Sequence, residues 1–138
     1  MAIHVAIMRE PYLSYVLDGS KTIESRFTRN KCAPYQAIKA GDTIYFKKSG
    51  GKIVANATVS SVKFYILSPG TIDRIFAEFG QQLRITMDFV DQKRDSKYCT
   101  LAWITGVKKI NPPLPFEKKD QRAWIILKSM PSFLAPAK

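Results

Sequence analysis

Alternation of apolar and polar positions dominates the chain, and it predicts strands more often than helices. Ile3 to Met8 is a nearly continuous apolar run of strand length that stops at Arg9-Glu10-Pro11. Pro11 opens a short helix at its first position. Tyr12, Tyr15 and Val16 give that helix an apolar stripe at i, i+3 and i+4, and Gly19 caps its end. From Thr22 to Arg29 the period changes to two: Ile23 and Phe27 point one way, while Thr22, Glu24, Arg26 and Thr28 point the other.

A hairpin is predicted next, Thr43 to Lys48 and Ile53 to Ile66, turned at Ser49-Gly50-Gly51. In its second strand the apolar set moves from odd positions (Ile53, Ala55, Ala57, Val59) to even ones (Val62, Phe64, Ile66). That change of phase requires a bulge near Ser60-Ser61. Ser68-Pro69 caps a second helix with a stripe of Ile72, Ile75, Phe76 and Phe79, and Gly80 is expected to end it. Leu83 to Val90 alternates like a strand, but Thr86 followed by Asp88 and Asp91 and then by Lys93 and Arg94 favours a capped helix. Two last strands, Tyr98 to Lys108 and Arg122 to Lys128, are joined by the Pro-rich segment Asn111 to Lys119. The expected class is α+β: a partly open β-barrel of about six strands with two or three helices.

No repeat or linker divides the 138 residues, so residues 1–130 are expected to form one domain, with 131–138 a loosely ordered tail. Cys32 and Cys99 form no CxxC pair and only His4 is present as histidine, which points to a cytoplasmic protein without a metal site or cofactor. The N-terminus lacks a cationic leader, and no apolar run approaches the roughly 20 residues that span a bilayer. Charge changes the picture most. Lys and Arg number 22 against 11 Asp and Glu, a net charge of +11 that favours polyanionic partners over membranes. Lys47, Lys48 and Lys52 lie in a stretch without acids and form a candidate nucleic-acid-binding face.

The candidate chemistry sits in Gly19-Ser20-Lys21-Thr22-Ile23-Glu24-Ser25-Arg26. On a strand, Glu24 and Arg26 share a face about 7 Å apart, near enough to hold a ligand jointly or simply to pair on the surface. Lys21 stands at the turn between helix and strand, where a side chain is aimed into a pocket mouth. His4 reads as a strand-edge residue.

The octet resembles the G-x-K-x-x-E-x-R signature of the ASCH domain, a member of the PUA-like β-barrel superfamily. Arg9-Glu10-Pro11-Tyr12, Ala40-Gly41-Asp42, Asn111-Pro112-Pro113 and Gln121-Arg122-Ala123-Trp124 follow in the family's order, so the resemblance covers nearly the whole chain. It implies a cleft that binds RNA, another single-stranded nucleic acid, or a modified nucleobase. The implied ligand-binding residues are Tyr12, Tyr15, Lys21, Glu24, Arg26, Tyr98, Arg122 and Trp124, with core packing the expectation for Tyr15. The resemblance also implies an alternative, a small hydrolase (an amidohydrolase on N4-acetylcytidine or a metal-independent ribonuclease) with Lys21 and Glu24 as catalytic residues. A further alternative is a protein-interaction module related to transcription coregulators. The amidohydrolase pattern has threonine three residues after its lysine; Glu24 occupies that place here.

Overall fold

The structure is a computed structural model in which residues 1–128 are described. Its elements run β1 (Ile3–Met8), α1 (Tyr12–Leu17), β2 (Ile23–Thr28), β3 (Thr43–Lys48), β4 (Ile53–Ile66), α2 (Thr71–Leu83), α3 (Met87–Gln92), β5 (Tyr98–Leu114) and β6 (Trp124–Leu127). The six strands form one curled half-barrel sheet in the order β2-β5-β4-β3-β1-β6. All neighbours are antiparallel except β1 and β3, which run parallel. That parallel pair needs a crossover, and α1 with β2 lies within it.

Curvature has a visible cause. The register of β4 against β5 slips between Val59 and Ser61, at the point where the apolar phase changes. It slips twice more toward the hairpin, and again between Phe46 and Lys47 of β3. Each extra residue bends its strand and increases the local twist, so the sheet curls around a core of Ala6, Val16, Ile38, Ile44, Phe46, Ala55 and Val59. On a second side, α2 and α3 bury Ile72, Ile75, Leu83 and Val90 against Ile23, Phe27, Cys99 and Leu101 of β2 and β5. Full burial of one such side chain stabilises the fold by about 1.5–3 kcal/mol.

Several boundaries differ from the sequence reading. The first helix begins at Tyr12, with Pro11 as its cap, and Gly19 follows it at φ +83. Gly80 lies inside α2 and does not end it. A Cβ there would approach the Phe76 ring to 3.1 Å, so the glycine serves packing. Completely buried Leu83 anchors the last turn, and Arg84 takes the left-handed cap. Thr86 then caps α3, its hydroxyl accepting from the Phe89 amide, and the helical alternative for this region holds from there. Strand β5 runs six residues past Lys108 into the Pro-rich segment, pairing Leu114 with Ile53. The expected tail, 131–138, lies outside the described residues.

Candidate functional site

A cavity of about 500 Å³ opens where β2 faces β1 and α3, lined by Met8, Arg9, Tyr12, Lys21, Glu24, Arg26, Phe89, Lys93 and Lys118 among others. Its floor is the polar face of the signature segment. Gly19 at positive φ lets the chain leave α1 and turn back, so that the Lys21 amide bonds the Tyr15 carbonyl and the side chain enters the interior.

Lys21 is only 2% exposed. Its Nζ donates to the Leu83 carbonyl at 2.5 Å, stands 4.0 Å from Glu24 Oε1, and lies 5.5 Å from the centre of the Tyr12 ring. Burial pushes its pKa below the ordinary lysine value; Glu24 opposes that shift and Arg26 adds to it.

Glu24 is 5% exposed. Oε1 accepts from the Ser25 amide at 2.7 Å. Oε2 lies 3.7 Å from Arg26 Nη2 and has no hydrogen-bond partner; it is the one buried side-chain N or O atom among the described residues in that state.

Arg26 closes the half-barrel. Its strand, β2, is one edge of the sheet, and β6 is the other. Nη2 donates to the Ile7 carbonyl at 3.1 Å and Nη1 to the Ala123 carbonyl at 3.3 Å, so one side chain ties the two edges together. Its guanidinium rests 5.0 Å over the Trp124 ring, a cation–π contact.

Trp124 leads to a second buried polar group. Its Nε1–H, which can only donate, bonds His4 Nδ1 at 3.0 Å, so His4 Nε2 carries the proton given to Asp42 Oδ2 at 2.8 Å. Asp42 also accepts from the backbone amides of Ala2 and Lys39, each at 3.0 Å. Burial raises the Asp42 pKa, but these hydrogen bonds outweigh it and hold the carboxyl below the ordinary value. His4 is fully buried, contrary to the strand-edge expectation, because β1 has β3 on one side and β6 on the other.

The remaining residues singled out in the sequence fall elsewhere. Tyr15 is half-buried with the Arg84 guanidinium 3.8 Å over its ring, and Tyr98 packs against Tyr35 at 5.0 Å; neither lines the cavity. Arg122 is exposed and bound to Asp120. Lys48 and Lys52 are exposed outside the cavity, but Lys47 is buried with its Nζ on the Lys48 carbonyl, so the basic face is smaller than the sequence suggested.

Arg9, Phe89, Lys93 and Lys118 line the cavity without having been singled out. They come from three separate segments, with Phe89 and Lys93 one turn apart on α3 and its cap, and no spacing in the sequence joins these to Arg9 or Lys118. Among the described residues, no three His, Cys, Asp or Glu residues cluster as metal ligands would, and no helix is long and apolar enough to cross a membrane.

A curled half-barrel with a charged cavity at its closing edge defines the class of protein. The chain belongs to the ASCH domain family, which matches residues 7–128. The crystal structure of ASCH from Zymomonas mobilis is similar, with a TM-score of 0.71 and 11% identity over 91% of this chain and 87% of that one. A hypothetical protein, PH0355, is similar with a TM-score of 0.53 and 18% identity over 77% of this chain and 97% of its own. At such identities the likeness concerns the fold alone. Comparison with curated protein sequences gives no match.

Proposed function

We propose that the cavity binds a base of single-stranded nucleic acid, RNA in the first instance, or a modified nucleobase. The orphaned Glu24 Oε2 carries this reading. A buried carboxylate oxygen without a donor costs about 1–3 kcal/mol or more, and a ligand N–H at that atom removes the cost. Every nucleobase that can offer an exocyclic amine or ring N–H fits this acceptor. Tyr12 and Phe89, in edge-to-face contact at 5.6 Å, supply aromatic surface in the same cavity. Stacking on such surface contributes about 1–3 kcal/mol per base.

The test is backbone-amide NMR mapping with a single-stranded oligoribonucleotide. The expected result is a set of shifted signals centred on Lys21 to Thr28 and on Phe89. Shifts confined to Lys48 and Lys52 would sink the cavity reading and leave a basic face alone.

The burial of Lys21 favours a second reading, a hydrolase that uses Lys21 and Glu24. A lysine whose pKa is lowered is a better base near neutral pH than an exposed one. Turnover of N4-acetylcytidine or RNA that disappears in Lys21→Met, with the fold retained, supports it; no turnover by the unaltered protein excludes it.

A further inference from the structure

The cavity is chemically lopsided. Five cationic side chains line it, Arg9, Lys21, Arg26, Lys93 and Lys118, against one acid, Glu24. They differ in depth. Lys21 and Glu24 are buried on the floor, whereas Arg9 is exposed and Lys93 and Lys118 are half-buried.

The floor cations are engaged, Lys21 with the Leu83 carbonyl and Arg26 with the Ile7 and Ala123 carbonyls. The outer three have no acid partner: among the described residues no ion pair joins Arg9, Lys93 or Lys118 to an acid, and Lys93 rests 5.5 Å over the Phe89 ring. Three surface arginines outside the cavity are neutralised, Arg29 by Asp95, Arg94 by Asp73 and Asp91, and Arg122 by Asp120, whereas exposed Arg74 and Arg84 bond Thr71 and stack on Tyr15, respectively, without an acid. Asp120, which Lys118 influences at longer range, is thus already bridged by Arg122. Lys118 also stands near enough to Lys47 to disfavour its charge, so positive field accumulates at the mouth.

We infer that Arg9, Lys93 and Lys118 form a phosphate subsite at the mouth of the cavity. The ligand is then a nucleotide, whose base reaches Glu24 while its phosphate stays at the rim, and not a free nucleobase or nucleoside. This rests on the base-binding reading and adds to it the charged half of the ligand. Unpaired cations around a concave site concentrate anions, and Arg and Lys bind phosphate oxygens through charge-assisted hydrogen bonds of about twice ordinary strength. The polarity also fits the burial: the neutral part of the ligand enters the floor, and its most strongly hydrated part remains near water.

The test is calorimetric titration of the intact protein with the four ribonucleosides, their 5′-monophosphates, inorganic phosphate, and an oligoribonucleotide of about eight residues. At least one monophosphate is expected to bind about tenfold or more tighter than its nucleoside, as charge-assisted contacts imply. That advantage should vanish in a Lys93→Ala, Lys118→Ala double variant, which removes only mouth side chains. An oligonucleotide that binds tighter still, with a steeper salt dependence, identifies a strand as the source of the phosphate; equal binding identifies a free nucleotide.

Nucleoside and monophosphate binding with equal affinity would overturn the subsite while leaving base binding intact. Inorganic phosphate competing as well as the nucleotide would keep the subsite and overturn base binding. Absence of binding by every probe overturns both. If the double variant unfolds, Arg9→Ala, at an exposed position, provides the same comparison.

Discussion

Two polar groups of the interior meet at the Trp124 side chain, and they are built on opposite principles. In the His4–Asp42–Trp124 group the chain closes on itself: the tryptophan N–H, the histidine ring and two backbone amides supply every hydrogen bond that Asp42 and His4 require. In the Lys21–Glu24–Arg26 group one carboxylate oxygen is left bare, and a lysine is buried against its preference for charge. Satisfied buried networks fix a structure, and an unsatisfied buried group calls for a specific explanation, of which a bound ligand is one. We assign the first group to the scaffold and the second to the proposed function.

Breaking the scaffold group gives the largest expected effect. Asp42→Ala strands the buried His4 donor and takes the acceptor from the partly buried amides of Ala2 and Lys39, and the expected loss is about 3 kcal/mol in urea denaturation. A loss below about 1 kcal/mol would place Asp42 outside the scaffold. Trp124→Phe removes one donor and keeps an aromatic ring, so a smaller loss of about 1–2 kcal/mol is expected by the same measurement.

The functional group is probed by pH. Because the folded-state pKa of Lys21 lies below its ordinary value of 10.5, the unfolded chain holds the proton more tightly. The resulting penalty is full below the folded-state pKa and is relieved as pH rises toward 10.5. Wild type should therefore gain stability relative to Lys21→Met as pH rises through that alkaline window. A constant difference between the two would show that Lys21 pays no burial cost. Smallest of all, Arg122→Ala should leave the denaturation midpoint unchanged, since its bond to Asp120 is an exposed ion pair.

Local pattern carried much of this structure. The phase change at Ser60-Ser61 announced the bulge that curls the sheet, and the signature segment announced that Lys21, Glu24 and Arg26 lie close together. Long-range pairing was not legible. The parallel register of β1 and β3 puts His4 in the interior, and the burial of Leu83 in the core beside β2 and β5 carries α2 past Gly80. The mouth cations were hidden for the same reason: Arg9 follows β1, Lys93 ends α3, and Lys118 lies between β5 and β6. Only the closing of the half-barrel by Arg26 brings β1 and β2 to one cavity. Lys47 shows the converse error, a charge counted as surface that its strand turns inward.

The contrast between the two groups is tested most directly by Glu24→Gln, with denaturation and ligand titration performed on the same preparation. The substitution keeps the shape of the side chain but removes the charge that faces Lys21 and Arg26, so the midpoint should fall by less than in Asp42→Ala, while affinity for the nucleotide should fall about tenfold or more. A midpoint lowered as far as in Asp42→Ala, with affinity unchanged, would make Glu24 a structural residue and contradict the account.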